Sequence, residues 1–379
     1  MNQKDLIIDC FAGGGGASVG IEMALGRPVD IAINHDPDAI LMHKTNHPNT
    51  LHLTEDIFKV NLRKYVKDQH VALMWASPDC TSHSKAKGGK PRERGLRILP
   101  WAVYKHAKEI RWPEPTHSRE NTSLRHWEEC GDYIDWSDLG TSIFNRKKPL
   151  AEATQKRIAN GIKKYIIDAP APYIVKDKDA LAFIIQYHGE TRDGDSRGQL
   201  LTEPIKTIDT SNRYGLVTAF VTKYYKSGIG QGCDEPLHTI TTSPGHFGLV
   251  SAFLIKYYGA GCGQMLDHPL GTITTKDRFG LVNVILDIKG EKYIIYDIFL
   301  RMLKPEELKL MQGFPRDYII NRNYNFKSYP VAKQVARIGN SVVPIMAQKL
   351  VEANCPYLKV GVRVPNLNID DSQEQLRFA

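Results

Sequence analysis

Although the 379-residue chain holds 6 cysteines, it contains no Cys-x-x-Cys pair and none of the Cys/His spacings that hold zinc. That excludes a disulfide framework and a zinc module as organising devices. Cys10, Cys80, Cys130, Cys233, Cys262 and Cys355 read as reduced thiols, and no metal site is expected. Long apolar runs are missing as well. No stretch reaches membrane-spanning length, and Met1-Asn2-Gln3-Lys4-Asp5 leads into a strand without the apolar core of a signal peptide. The expectation is a soluble, cytoplasmic protein with no membrane partner. Neither sign of charge dominates: 50 Lys+Arg against 42 Asp+Glu leave a net +8 and a pI ≈ 9.0, compatible with a polyanionic partner without requiring one. What is present is ordinary globular material, 42% hydrophobic, over a length sufficient for two domains.

The first chemistry-bearing stretch is N-terminal. Leu6-Ile7-Ile8-Asp9-Cys10-Phe11 is a short apolar strand, Ala12 and the glycines at 13–16 form a loop, and Ala17-Ser18-Val19-Gly20-Ile21-Glu22 begins a helix. Strand, glycine loop and helix open a nucleotide-binding βαβ unit. Glycines let the backbone approach a ligand, and the helix start offers N–H groups to a carboxylate or phosphate. A purely structural tight turn is the competing reading. Ser18 stands where the third glycine of Gly-x-Gly-x-x-Gly would fall, which disfavours a pyrophosphate-binding dinucleotide site. The second strand, Val29-Asp30-Ile31-Ala32-Ile33-Asn34, ends near Asp36, and either Asn34 or Asp36 can bind ribose hydroxyls there. Asp56 either accepts from an adenine amino group or caps a helix. Together these three positions sketch an adenosine pocket.

A later apolar run, His70-Val71-Ala72-Leu73-Met74-Trp75, gives way to Pro78 and a polar loop. It reads as a buried strand delivering Cys80 to the carboxyl edge of the sheet, where ligands bind in open α/β folds. The loop that follows is basic and contains glycine, with Lys85, Lys87, Lys90, Arg92 and Arg94, a setting that lowers a thiol pKa and holds phosphate. Two readings stay open on these residues alone: a nucleophile acting on nucleic acid, or a small apolar residue ending a strand.

Beyond a linker around Asp168-Ala169-Pro170-Ala171-Pro172, three diverged repeats begin at Phe183, Phe220 and Phe253. Each closes on (Tyr/Phe)-Gly-Leu-Val, at 214–217, 247–250 and 279–282, with a Pro-x-x-Thr-Ile centre. Aromatic and β-branched residues bounded by glycine predict a hairpin for each, and stacking buries the faces one hairpin cannot. Lys304-Pro305-Glu306-Glu307 predicts a helix start and Gly313-Phe314-Pro315 its stop.

Asp9-x-Phe11-Ala12-Gly13-Gly14-Gly15-Gly16, Asp56-Ile57 and Ser77-Pro78-Asp79-Cys80 fall in the order found in cytosine-5 DNA methyltransferases, a family the chain resembles. The segments at 301–315 and at 334–344 extend the resemblance, the latter through Gly339-Asn340-Ser341-Val342-Val343-Pro344. The resemblance implies an α/β fold: a Rossmann-like S-adenosylmethionine-dependent methyltransferase sheet with a second, smaller β-rich target-recognition domain. In those terms residues 1–180, completed by 316–360, form the catalytic domain and 181–300 the recognition domain, with 301–315 a connecting helix and 361–379 a tail. It further implies S-adenosyl-L-methionine held by Phe11, Ala12, Gly13, Gly14, Gly15, Asn34, Asp36, Asp56, Pro78, Asn340, Ser341 and Val342. Cys80 becomes the nucleophile. Double-stranded DNA becomes the partner, met by Ser84, Lys85, Lys87, Lys90 and Arg92 and, at base edges, by Gln231 and Gln264. A bacterial or phage-encoded, nucleoid-associated protein fits this set.

The chain also departs from the family. Asp79 and Thr81 flank the cysteine where proline and glutamine are usual, and Asn34 replaces the ribose-binding glutamate. After Arg111 the family has a strand ending in Glu-Asn-Val, a helix and an arginine-bearing strand, whereas this chain passes directly to Trp112-Pro113-Glu114-Pro115. Glu120-Asn121 lacks a preceding apolar strand and reads as a polar turn. The alternative to an active enzyme is therefore a DNA- and cofactor-binding homologue, or one part of a complex whose protein partner supplies the missing motifs.

Overall fold

The computed structural model describes residues 5–67, 69–78, 111–144, 146–176, 178, 180–187, 196–223, 253–256, 264–265, 279–282, 285–288 and 291–360. The chain divides into two units of about equal length. One comprises Met1–Thr116, Thr207–Ser211 and Gln312–Ala379, the other His117–Lys206 and Asn212–Met311.

The first unit is built on a parallel sheet in the order β3-β2-β1-β4, from β1 (Leu6–Cys10), β2 (Ile31–Ile33), β3 (Leu51–Leu53) and β4 (Val71–Ala76). Helices α1 (Gly16–Leu25), α2 (Pro37–Asn46) and α3 (Leu62–Val66) connect the strands in turn. β1 is buried throughout. Ile7 joins a core with Ile21, Leu25, Val29 and Val351, while Ile8 and Cys10 join another with Ile31, Ile33 and Leu53. Neighbouring side chains thus serve opposite faces, which is why the strand reads as a continuous apolar run rather than an alternating one. Burial of each such isoleucine or leucine contributes about 1.5–3 kcal/mol. Asp36 starts α2 by accepting from the Asp38 and Ala39 amides, with Pro37 in the first turn.

The second unit is antiparallel. Its strands are β5 (Thr141–Ser142), β6 (Tyr173–Ile174), β7 (Ala180–Gln186), β8 (Gly198–Gln199), β9 (Tyr214–Lys223), β10 (Phe253–Lys256), β11 (Gln264–Met265), β12 (Phe279–Val282), β13 (Ile285–Ile288) and β14 (Glu291–Met302). One sheet follows the path β13-β14-β9-β7-β6, with β5 on β14 and β8 on β7; a separate sheet has the order β11-β10-β12. Helix α4 (Glu152–Ile162) continues into a π-helical turn, Lys163–Ile167. Ile158, Ile162 and Ile166 fall on one stripe and pack against Leu181, Phe183, Ile185, Val217 and Ala219. Helix α5 (Pro305–Met311) is tied to β14 by a buried ion pair in which Arg301 donates to both Glu307 oxygens, at 2.6 and 2.8 Å. Glu307 also accepts from the Lys304 and Asp135 amides, so both carboxylate oxygens are satisfied.

The chain then returns to the first unit as α6 (Val331–Gly339) and α7 (Pro344–Asn354), and α7 packs along α1. No helix among the described residues is long and apolar enough to cross a membrane.

The Rossmann-like parallel sheet and the β-rich second domain are present as expected. The second unit is not smaller, and the division falls at 116/117 rather than 180/181. The physical reason is that β5, β6 and α4 spend their hydrogen bonds and apolar faces on β14 and β7. Two arms of the first repeat pair as expected, Phe183 opposite Val217, and so do those of the third, Phe253 opposite Val282. The closing arm of the second repeat lies outside the described residues. Glu120-Asn121 is a polar turn: Ser118 Oγ accepts from both amides, and Asn121 Oδ1 accepts from Ser123 N at 3.0 Å.

Candidate active site

Parallel strands end together, and here Cys10, Ile33, Leu53 and Ala76 terminate at one edge, with Cys10 in register with Ile33 and Ala76 and Ile33 with Leu53. Backbone bonds knit that edge beyond the strands. Ala12 N donates to Ile33 O at 3.0 Å, Asn34 N to Leu53 O at 3.1 Å and Ser77 N to Cys10 O at 3.4 Å. The glycine loop, the 34–36 segment and the start of the segment leading to Cys80 are thereby brought to one place. β1 lies between β2 and β4, so the chain leaves it toward one side and β4 arrives on the other, the topological setting in which open α/β sheets bind ligands.

The loop is tightly held. Phe11 has φ 65, a left-handed conformation that costs an aromatic residue about 1–3 kcal/mol and that concentrates at functional sites. Gly15 has φ 91, and a β-carbon there would fall 2.0 Å from the Tyr318 hydroxyl, which itself donates to Gly14 O at 2.8 Å. A β-carbon on Gly14 would fall 2.4 Å from Ser341 Oγ. Thus Ser341, expected from the C-terminal motif to close the pocket, does lie against the loop; its hydroxyl donates to Arg337 O at 2.7 Å. The N-cap residue of α1 is Gly15, which has no side chain to cap with, and no acid sits in the first turn; the buried Asp9 carboxyl faces Ser18 of that turn, leaving the backbone amides nearer the loop to meet an anion.

The other expected pocket residues have structural duties as well. Asn34 Oδ1 accepts from Asp36 N at 2.9 Å. Asp36 caps α2 and accepts from Arg337 at 2.6 Å. Burial alone would raise its pKa, but the Arg337 guanidinium and the two helix amides outweigh it and hold the carboxyl below the usual range. Asp56 Oδ1 accepts from Phe58 N at 3.0 Å, the local turn-capping role. Pro78 is half-buried at the end of the described segment. Cys80, Ser84, Lys85, Lys87, Lys90, Arg92 and Gln231 lie outside the described residues, and Gln264 is on β11 opposite Leu254.

Beneath the loop runs a buried polar relay that sequence reasoning missed. Ser18 donates to Asp9 Oδ2 at 2.7 Å, His43 Nε2 meets Ser18 Oγ at 2.9 Å, and His52 Nε2 meets His43 Nδ1 at 2.8 Å. With the Ser18 hydroxyl donating to Asp9, its oxygen accepts from His43 Nε2–H, which leaves His43 Nδ1 to accept from His52 Nε2–H. Burial pushes Asp9 up to about 7 against the lowering effect of Ser18. Burial likewise lowers His43, and lowers His52 to about 4 with help from His47. One signal was available: Asp9 is the charged residue in an otherwise apolar strand, and Ser18 fills the place of the missing glycine.

Cys10, Cys130 and Cys355 are buried, and burial pushes the first two thiols up to about 12. None of these three is set up as a thiolate nucleophile. Among the described residues no group of three or more His, Cys, Asp or Glu side chains is arranged to hold a metal.

No protein-family model matches the chain, and no curated protein matches it. Solved structures do. A prophage-encoded E. coli protein named as a DNA modification methyltransferase is 17% identical over 92% of this chain and 98% of its own, with a TM-score of 0.33. The Entamoeba histolytica methyltransferase EhMeth is 12% identical over 94% of this chain and 100% of its own, with a TM-score of 0.40. The S. pombe Dnmt2 methyltransferase is 14% identical over 92% and 97%, with a TM-score of 0.32. The functional reading rests on the site itself.

Proposed function

We propose that the protein is an S-adenosylmethionine-dependent DNA cytosine-5 methyltransferase. The observation that carries this reading is the shared edge: a helix N-terminus that begins on a strained glycine loop, beside the strand that leads into Ser77-Pro78-Asp79-Cys80. The donor set fits the cofactor. The start of α1 suits its carboxylate, Asn34 and Asp36 its ribose, Asp56 its adenine amino group, and Asn340-Ser341-Val342 its closing wall. Bound there, S-adenosylmethionine supplies an electrophilic methyl group.

Carbon 5 of cytosine is a poor nucleophile while the ring is aromatic. The Cys80 thiolate adds to carbon 6, and the displaced electron pair makes carbon 5 enamine-like. Methylation at carbon 5, loss of its proton and departure of the thiolate restore the ring. The base leaves the duplex to reach Cys80, and the basic loop with Ser84, Lys85, Lys87, Lys90 and Arg92 holds backbone phosphates. The repeats of the second unit supply target recognition.

A second reading is supported by one specific observation. Glu120, the glutamate of the Glu-Asn pair that follows the place of the missing Glu-Asn-Val strand, is in an exposed turn. A family acid that hydrogen-bonds the cytosine ring is worth on the order of 100- to 10,000-fold. Without it the protein binds DNA and cofactor but turns over slowly, or a partner chain provides the acid. Incubation with radiolabelled S-adenosylmethionine and mixed-sequence duplex DNA separates the two. Label in DNA that is lost in Cys80→Ser supports the enzyme; binding of both ligands with no label transferred supports the second reading.

A further inference from the structure

The Asp9 carboxyl is fully buried in β1, and the protein satisfies only half of it. Oδ2 accepts from the Ser18 hydroxyl at 2.7 Å, whereas Oδ1 has no hydrogen-bond partner among the described residues. A buried charge needs both oxygens answered, so this geometry penalises the ionised carboxylate far more than the neutral acid. Its neighbours in the sheet do not help. Ala32 lies opposite it on β2 and Trp75 on β4, and neither carries charge.

The titratable groups around Asp9 supply no lysine or arginine to balance it. On β1, burial and then Asp9 itself push the Cys10 thiol up to about 12. On α2, His43 is reached through Ser18 and burial lowers it well below the ordinary histidine value, while His47 Nδ1 meets Glu22 Oε2 of α1 at 3.2 Å. On β3, His52 is lowered to about 4, by burial first. Tyr318, beside the glycine loop, is raised by burial and then by Asp9 and Glu22. What stands in for a cation is the helix. Ser18 lies in the first turn of α1, and its hydroxyl and amide are the groups that lower the Asp9 pKa against burial.

The same helix end suits the carboxylate of S-adenosylmethionine. Two carboxylates at one helix start repel, and the one sealed from water is the one that takes up a proton. We propose that Asp9 is a positioning residue that couples cofactor binding to protonation: neutral, it leaves the positive end of α1 to the cofactor carboxylate; ionised, it claims that end and weakens binding. The inference rests on the cofactor reading of the glycine loop and adds a proton to it. Free Asp9 ionises at about pH 7, and the complex holds the proton to higher pH. Binding therefore takes up a proton above that value, and affinity falls as pH rises, by about tenfold per pH unit at most. Below it Asp9 is neutral in both states and the effect vanishes.

The test is calorimetric titration of the full chain with S-adenosylhomocysteine, which carries the carboxylate but no methyl group to transfer, and with methylthioadenosine, which has the adenosine and no carboxylate. Buffers of different ionisation enthalpy count the protons taken up, and Asp9→Asn subtracts the ionisation of the ligand's own amino group. With S-adenosylhomocysteine at about pH 8, wild type should take up more protons than Asp9→Asn, and the ratio of wild-type to variant affinity should fall at least about fivefold between about pH 6 and about pH 9. Methylthioadenosine should show neither effect. Equal proton uptake by the two proteins, with an affinity ratio that does not change with pH, overturns the proposal while leaving cofactor binding intact. If Asp9→Asn does not fold, Ser18→Ala takes its place: it removes a hydroxyl that favours the ionised form, so the onset of proton uptake should move to higher pH, and an unmoved onset overturns the proposal. Binding of neither ligand at any pH overturns the cofactor reading and this inference with it, so the two failures are distinct.

Discussion

The two units solve the problem of placing chemistry in opposite ways. In the first, parallel strands gather their carboxyl ends on a single edge, so residues as far apart in sequence as Phe11, Asn34 and Ser77 meet without any one segment carrying all of them. In the second, antiparallel pairing repeats a short module, β8-β7-β9 and again β11-β10-β12, and each module holds itself together locally. The lesson is that a concentrated site depends on the whole sheet, whereas a recognition array tolerates divergence inside each copy. Perturbations of the first unit should therefore strike ligand binding, and perturbations of the second should strike stability.

The largest expected stability effect is in the second unit. Glu307→Ala strands the Arg301 guanidinium in a buried place and should cost about 3–5 kcal/mol in urea unfolding. Replacing both partners, Arg301→Met with Glu307→Leu, should recover much of that loss. In the first unit, Gly15→Ala forces a β-carbon onto the Tyr318 hydroxyl at a positive φ. It should cost about 1–3 kcal/mol and weaken S-adenosylmethionine binding tenfold or more by calorimetry, a loss of ligand affinity that Glu307→Ala at equal stability should not show. Weakening by both variants alike would erase the comparison.

Asp9 gives a pH signature. Its folded pKa is raised from 3.8 to about 7, so the folded state binds more protons than the unfolded state between those values. Stability contributed by this group therefore falls as pH rises through that window, by about 1.4 kcal/mol per pH unit at most. His43 and His52 act in the opposite sense, because their lowered values make the folded state bind fewer protons and stability rises toward the ordinary histidine range. The stability of Asp9→Asn minus that of wild type isolates the aspartate and should increase from about pH 4 to about pH 7. A flat difference would mean that Asp9 stays ionised. The smallest expected effect is that of Glu120→Gln, an exposed turn residue, which should change methyl transfer by less than about twofold.

How much of this was legible in the sequence follows from the physics of each element. β1 and its loop were readable because a strand buried on both faces is a continuous apolar run and four glycines in a row have few other uses. The register of the repeats was half readable: Phe-x-x-(Gln/Lys) and (Tyr/Phe)-Gly-Leu-Val announced two arms, but only pairing shows that Gln199 faces inward. β5 and β6 were not readable, since strands of two residues carry no periodicity, and they are what moves residues 117–180 into the second unit. The Asp9-Ser18-His43-His52 relay was hidden for a different reason. Its members come from a strand, two helices and another strand, and only the sheet order makes them neighbours.

The central claim is that Cys80 attacks carbon 6 of cytosine, and the most direct measurement is covalent trapping. On a duplex carrying 5-fluorocytosine, methylation at carbon 5 leaves no proton there to remove, so the thiolate has no route of departure and the adduct persists. With S-adenosylmethionine present, the expected result is a stable protein–DNA complex whose cross-linked peptide contains Cys80 and which Cys80→Ser does not form. A cross-link at another residue, or methylated ordinary duplex DNA with no trapped complex on the fluorinated one, would contradict it.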